Sequence, residues 1–321
     1  MRIALATVGT TGDVRPFGAL AAGLRAAGHA VTAVSWELHG PALQEAGAEF
    51  VPAGPATSTD EIRSTAAQAA AARSPMDQVA VLRDFHLRDA PAHYRRLRQV
   101  LPGHDLVVLH GIHSLAEAAA TDAGLRWTSA VFDPVLLPTG TRPPAGMPQL
   151  GPSNRAGWWL LDRMLRRLDG PLHAALAEAG SPAPRAVTMF RARSPLLHLV
   201  ACSPAIVDAP SDLPPTTHLT GAWVPVADPP PLDPALDAFL AAAEPPVVVS
   251  FGSMAMDDAE SILRIITSAA AAAGVRAVVQ LPGGDGIRVE GQDVLLLHAP
   301  VDHRALFPRA AAVVHHGGAG T

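Results

Sequence analysis

Short runs of apolar residues alternate with longer amphipathic stretches along most of the chain, a pattern expected of strands buried on both faces and separated by helices. Residues 2–8 predict a buried strand, Gly9-Thr10-Thr11-Gly12-Asp13 a turn, and residues 14–27 a helix. Leu20 and Leu24 stand four apart on that helix, on one face. Gly28-His29 closes it and residues 30–35 predict a second strand. Strand, helix and strand at this spacing form a right-handed βαβ unit with parallel strands. Further strands are expected at 48–51, 106–109, 128–131 and 196–201, the last closing the first sheet. Helices are expected at 40–47, 76–101, 115–123 and 154–179. Pro91 should start or kink the second part of one, and Gly170-Pro171 should break another. Residues 57–74 read as a mobile loop-helix, and the proline- and glycine-rich residues 133–152 as a long loop forming a lid or wall.

Residues 204–234 carry nine prolines and read as an interdomain linker. A second β/α run follows, with strands expected at 247–250, 275–280, 294–297 and 310–314 and helices at 257–273 and 302–307. The domains expected are 1–215 and 235–321, joined by residues 216–234. The fold class is α/β, two Rossmann-like domains facing across a ligand-binding cleft.

Composition narrows the chemistry. The 321 residues are 49% hydrophobic and 17% charged, enough for two cores. A net charge of −5 supports neither a nucleic-acid nor an anionic-membrane surface. All 24 basic residues are arginine, which excludes a P-loop lysine and Schiff-base chemistry. The single cysteine, Cys202, excludes an internal disulfide, fits a reducing cytoplasm and reads as a small core residue. The apolar run at 3–8 is too short for a secretion signal, and no run is long enough for a membrane span.

Candidate chemistry lies at strand ends. The apolar run Ala310-Ala311-Ala312-Val313-Val314 reads as a short buried strand leading into His315-His316-Gly317-Gly318-Ala319-Gly320-Thr321. Strand, glycine turn and helix start together form an anion site, with backbone N–H groups and the helix dipole facing the ligand and the two histidines at its lip. The 9–13 turn lacks the G-x-G-x-x-G spacing of dinucleotide folds, and no cofactor is expected. Asp13 suits either a helix N-cap or a general base. His110 and His113 sit past a strand without a carboxylate or cysteine at ligand spacing, so they read as pocket lining or packing, and no metal is expected. Trp158, in the broad apolar arc of 154–179, suits a hydrophobic ligand pocket or ordinary core.

Several ordered motifs then carry a resemblance over the whole chain. Gly9-Thr10-Thr11-Gly12-Asp13-Val14-Arg15-Pro16, Phe251-Gly252-Ser253-Met254, Leu306-Phe307-Pro308, the closing His315–Thr321 run and Thr220-Gly221-Ala222-Trp223 together resemble the family 1 glycosyltransferases of GT-B fold, in the bacterial natural-product branch. The resemblance implies inverting transfer of a sugar from a UDP- or TDP-sugar to a hydroxyl of a small-molecule acceptor, bulky and partly apolar. It implies Asp13 as general base and donor contacts from Thr10, Thr11, Gly12, Ser253, Val301, His315, Gly317, Gly318, Ala319, Gly320 and Thr321. His110, His113, Phe132 and Trp158 are the acceptor-side candidates. The chain contains no Asp-x-Asp motif, and backbone amides with His315 would stabilise the diphosphate in place of a metal held that way. Gln280-Leu281-Pro282-Gly283-Gly284 departs from the family's glycine-tryptophan pattern. The family continues beyond the position of Thr321, so a truncated second domain is expected. The alternative expectation is a non-catalytic relative that binds acceptor or a partner protein.

Overall fold

The computed structural model describes residues 1–133, 137–144, 146–251, 259–281, 293–299 and 301–318. Two compact units divide the chain: residues 1–62 with 72–226, and residues 63–71 with 227–321. The first unit is built on seven parallel strands in the order β3-β2-β1-β4-β5-β6-β7. These are β1 (Arg2–Ala6), β2 (Ala30–Ser35), β3 (Glu49–Pro52), β4 (Leu106–His110), β5 (Trp127–Val131), β6 (His198–Val200) and β7 (Thr217–Leu219). β1 lies between β2 and β4, with Ile3 paired to Val31 on one side and to Leu106 on the other. Its pleat sends alternate residues to opposite faces. Ile3 and Leu5 pack with Val14, Phe17 and Ala21 of α1 (Thr11–Ala26). Ala4 and Ala6 pack on the other face with Tyr94 and Leu97 of α5 (Ala90–Val100). Burial on both faces explains why residues 3–6 of this strand are continuously apolar.

The helices depart from expectation in informative places. α1 begins at Thr11, three residues early, because Thr10 in extended conformation is the N-cap and Asp13 the third helical residue. The N-cap expectation for Asp13 is corrected accordingly. The long helix expected at 76–101 is two helices, α4 (Pro75–His86) and α5, separated at Asp89, which takes a φ of +50°. Pro91 stands in the first turn of α5, where its missing N–H costs nothing. Likewise α7 (Asn154–Leu165) stops before α8 (Gly170–Glu178), with Pro171 in the first turn of α8. The strand expected to close the sheet shortens to β6, and β7 joins it in parallel from inside the stretch expected to be linker. The three residues of β7 contain no proline and sit at the sheet edge, which a proline-rich surrounding tolerates. Cys202 is buried against Leu137 and Val200, as a small core residue.

The second unit holds four parallel strands in the order β10-β9-β8-β11. They are β8 (Val247–Ser250), β9 (Ala277–Gln280), β10 (Val294–Leu297) and β11 (Ala312–His315). Val249 and Val279 pack with Leu263 and Ala270 of α10 (Ala259–Ala273), while Val248 and Val278 pack with Leu306 of α11 (His303–Leu306). Leu236 and Leu240 of α9 (Pro234–Ala241), a helix the proline count concealed, join that second cluster. β11 was expected to be buried. Among the described residues it pairs with β8 alone, and Val314 is 49% exposed. No helix among the described residues is long and apolar enough to cross a membrane.

One buried ionic knot fixes the far side of the first unit. Arg191 reaches Asp162 Oδ1 at 2.7 Å and both oxygens of Asp169 at 3.0 and 3.1 Å. Asp169 is buried and also accepts the Met189 N–H at 2.8 Å. The knot ties the end of α7 and the start of α8 to residues 189–191, where Phe190 holds a φ of +58°. Arg191→Met would leave the Asp169 carboxylate buried without its cation, a change that costs about 3–5 kcal/mol. The urea midpoint should fall accordingly, and a variant within about 1 kcal/mol of the parent would show that the knot does not carry this region.

Candidate functional site

The carboxyl end of β1 is held by a dense set of contacts to its own backbone. The Thr7 N–H donates to Val34 O at 3.1 Å, and the Ser35 hydroxyl donates to Thr7 O at 2.7 Å. His39 Nε2 donates to Gly9 O at 3.2 Å. Gly9 has a φ of +117°, and a side chain there would collide with the Asp13 carboxylate. The turn therefore needs glycine for conformation and for space.

Asp13 is fixed by the residue before its helix. The Thr10 N–H donates to Asp13 Oδ2 at 2.7 Å, and the Thr10 hydroxyl donates to the same oxygen at 2.9 Å. The backbone bond is one half of a capping box, and the carboxylate also meets the positive end of α1. With Oδ2 engaged twice, Oδ1 is left facing His110, whose Nε2 lies 3.9 Å away. The Asp13 side chain remains 28% exposed, so the carboxylate can be reached.

His110 closes the floor beneath it. Its Nδ1 lies 3.4 Å from Val8 O, which places the ring hydrogen on Nδ1 and leaves Nε2 as an acceptor in the neutral form. Burial pushes its pKa down, while the Asp13 charge pulls it up. The ring stacks on Phe132 at 5.0 Å between centroids and meets Phe17 edge-on at 5.9 Å. Trp223 packs edge-on against Phe17 and Phe132 at 6.2 and 6.0 Å. An aromatic cluster thus packs about His110 beneath the partly exposed carboxylate, with rings drawn from α1, β4, the residue after β5 and the segment after β7.

The structure sorts the acceptor-side candidates. His110 and Phe132 join Asp13 in this group. His113 lines a separate buried cavity with Trp36, His86 and His93. Trp158 is 7% exposed, and its Nε1–H donates to Arg142 O at 2.8 Å, so it braces the loop after β5 and is not one of the rings beside Asp13. Sequence reasoning gave no site role to Phe17 or His39, and named Trp223 only within a motif. Phe17 follows Asp13 by four residues and so shares its helix face, a signal that was available. His39 reaches Gly9, and Trp223 reaches Phe17 and Phe132, only through tertiary contacts.

In the second unit, β11 ends in the expected glycine turn, with Gly317 at a φ of +81°. The Gly317 N–H donates to His315 Nδ1 at 3.2 Å, which leaves the ring hydrogen on Nε2. The His316 ring sits against Gly318, where a side chain would clash. Val301 packs into the cluster of Leu236 and Leu306. The ends of β8 and β9 carry a network that sequence reasoning did not single out. There the Ser250 hydroxyl donates to Gln280 Oε1 at 2.9 Å, His303 Nε2 approaches the same oxygen at 3.2 Å, and the His303 ring stacks on Phe307 at 4.3 Å. The donor-side candidates Ser253, Ala319, Gly320 and Thr321 lie outside the described residues. No group of three His, Cys, Asp or Glu side chains among the described residues could hold a metal ion.

No protein-family profile matches the chain. It is 33% identical over 344 residues to an O-mycaminosyltylonolide 6-deoxyallosyltransferase of Streptomyces fradiae, covering 100% of this chain and 77% of that protein. It is 32% identical over 341 residues to a vancomycin aglycone glucosyltransferase of Amycolatopsis orientalis, again covering 100% of this chain and 77% of the relative. Its fold matches the crystal structure of the glycosyltransferase SsfS6 of Streptomyces sp. SF2575, complexed with thymidine diphosphate. That match has a TM-score of 0.62 at 21% identity, over 100% of this chain and 77% of that one.

Buried histidines give the first unit an acid-side sensitivity. Burial lowers His93 and His198 from an ordinary 6.5 to about 4. Between those values the unfolded chain binds protons that the native state refuses. Stability present above about pH 6.5 should therefore fall as the pH drops towards about 4. Urea midpoints measured across that range should decline steadily, and His93→Gln should flatten part of the decline. A midpoint independent of pH would contradict the neutral, buried assignment.

Proposed function

The chain belongs to the bacterial natural-product glycosyltransferases of GT-B fold, and from that premise we propose that Asp13 is the general base of an inverting transfer to an acceptor hydroxyl. The donor is a UDP- or TDP-sugar, and the acceptor is bulky and partly apolar. One relative is described as acting on a vancomycin aglycone, another on O-mycaminosyltylonolide, and a structural neighbour holds thymidine diphosphate. The observation that carries the reading is the asymmetry of the Asp13 carboxylate. Oδ2 is engaged by both Thr10 donors, while Oδ1 remains for a proton.

In the proposed step the acceptor oxygen attacks the anomeric carbon of the donor as its proton passes to Asp13 Oδ1. The bond from the anomeric carbon to the diphosphate breaks, and its electron pair leaves with the nucleoside diphosphate. Attack opposite the leaving group inverts the anomeric centre. Half-buried Trp223, backed by the buried rings of Phe17 and Phe132, supplies an apolar surface for the acceptor. His110 beneath Oδ1 limits the positions the carboxylate can take. On the donor side His315, with its hydrogen on Nε2, would donate to a phosphate oxygen, and the glycine-turn amides would share the developing charge without a metal held by an Asp-x-Asp motif. Thr10, Thr11 and Gly12 would approach the donor from the first unit, and Val301 backbone groups would hold its base.

The test is transfer from UDP-glucose and TDP-glucose, with vancomycin aglycone and O-mycaminosyltylonolide offered as acceptors. Nucleoside diphosphate release and glycosylated product are both measured. Asp13→Asn keeps an oxygen for Thr10 but removes the base, and should lower kcat about 10²–10⁴-fold with little change in acceptor affinity. Transfer that persists in Asp13→Asn at the parent rate would refute the assignment.

A further inference from the structure

One peptide plane links the Asp13 carboxylate to a side chain carried by the neighbouring strand. The Thr10 N–H, which donates to Asp13 Oδ2 at 2.7 Å, belongs to the same peptide unit as the Gly9 carbonyl. That carbonyl accepts from His39 Nε2 at 3.2 Å. A peptide unit is rigid, with its C=O and N–H pointing in opposite directions. His39 therefore grips one end of the plane while the other end grips the carboxylate.

The plane needs such a grip. Gly9 has a φ of +117° and no Cβ, so the torsion on its side is soft. Thr10, on the other side, holds an extended φ of −85°. A modest rotation would swing the Thr10 N–H out of line with Oδ2, and a hydrogen bond weakens steeply once its angle falls below about 120°. Gly9 is buried, so a carbonyl without its donor would be driven to rotate in search of water. A donor on the carbonyl also polarises the unit and strengthens the N–H at its far end.

His39 is well placed to act as that donor. It ends the helical turn Glu37–His39 that follows β2, and it is 5% exposed. Its ring stacks on Trp36 at 6.0 Å between centroids, with 19° between the planes. The end of β2 holds the same loop a second time: Val34 O and the Ser35 hydroxyl bind Thr7, whose own hydroxyl donates to Asp13 O at 3.3 Å. Burial lowers the His39 pKa, against the opposing pulls of the Gly9 hydrogen bond and the Asp13 charge. The ring is then neutral near pH 7, and a bond to a carbonyl puts its hydrogen on Nε2.

We propose that His39 is a positioning residue for Asp13: through the Gly9–Thr10 peptide it aims the Thr10 N–H at Oδ2 and so keeps Oδ1 turned to the acceptor proton. The role rests on the reading of Asp13 as the base, while the hydrogen bonds behind it are measurable without turnover.

In the parent chain, labelled with ¹⁵N, the His39 ring signals should show the hydrogen on Nε2 near pH 7. A hydrogen on Nδ1 would overturn the proposal, and this readout stands even if no His39 variant folds. Exchange of the Thr10 amide with water is then compared with that of Leu5 and Val31 in the sheet. His39→Phe keeps a ring and removes the donor, and should speed Thr10 exchange about tenfold or more while Leu5 and Val31 keep their parent rates. It should lower kcat by a comparable factor with the KM of donor and acceptor unchanged. His39→Gln offers an amide N–H at similar reach and should recover most of both losses. A rise in exchange shared by Leu5 and Val31, or equal losses in His39→Phe and His39→Gln, would make the role merely structural and overturn the proposal. Asp13-dependent transfer with kcat or Thr10 exchange unmoved by His39→Phe would defeat the positioning role alone. Thr10 exchange that follows His39 alongside transfer indifferent to Asp13→Asn would defeat the catalytic reading alone.

Discussion

Placing β1 between two parallel neighbours is the constraint from which the first unit follows. A parallel strand buried on both faces must satisfy its backbone through β2 and β4, and its side chains must be apolar throughout. Chemistry is then confined to the loop at its carboxyl end. That loop must turn at once into α1, which requires Gly9 at a positive φ and puts Thr10 and Asp13 at a helix start. The orientation of Asp13 is thus a consequence of sheet topology. The Thr10 donors select one carboxylate oxygen, and the sheet, through His110 at the end of β4, supplies what faces the other.

The same logic explains the density of histidine around the strand ends. His39, His110 and His113 each follow or end a strand of the parallel sheet, and His86 and His93 face them from α4 and the start of α5. Carboxyl ends of parallel strands present backbone carbonyls, and a neutral imidazole can donate to one while its second nitrogen looks elsewhere. His39 does this at Gly9 O and His110 at Val8 O. Burial keeps these rings neutral, so they act as hydrogen-bonding walls with little charge near pH 7. The Asp13 carboxylate stands out electrostatically among them for that reason.

Much of this was legible in the chain. The continuous apolar run of β1, the glycine turn, Asp13 after it and the β/α alternation follow from local pattern, and so do β8 and the parallel second sheet. What was not legible depended on distance or on brevity. β7 is three residues long inside a proline-rich stretch, too short for any periodicity to show. Trp223 reaches Phe17 only once β7 has turned the chain back over the sheet. His86 and His93 come together beside Trp36 only once the break at Asp89 separates α4 from α5. Trp158 illustrates the converse. A large aromatic in an apolar arc suggested a ligand wall, and its indole is occupied by the Arg142 carbonyl.

The central claim is that one oxygen of Asp13 is held in place and the other removes a proton. Chemical rescue measures that most directly. In Asp13→Ala the account predicts that transfer is lost and that added formate, a carboxylate small enough for the vacated space, restores it in proportion to its concentration with the product still inverted. An Asp13→Ala chain that transfers at the parent rate without formate would contradict the account.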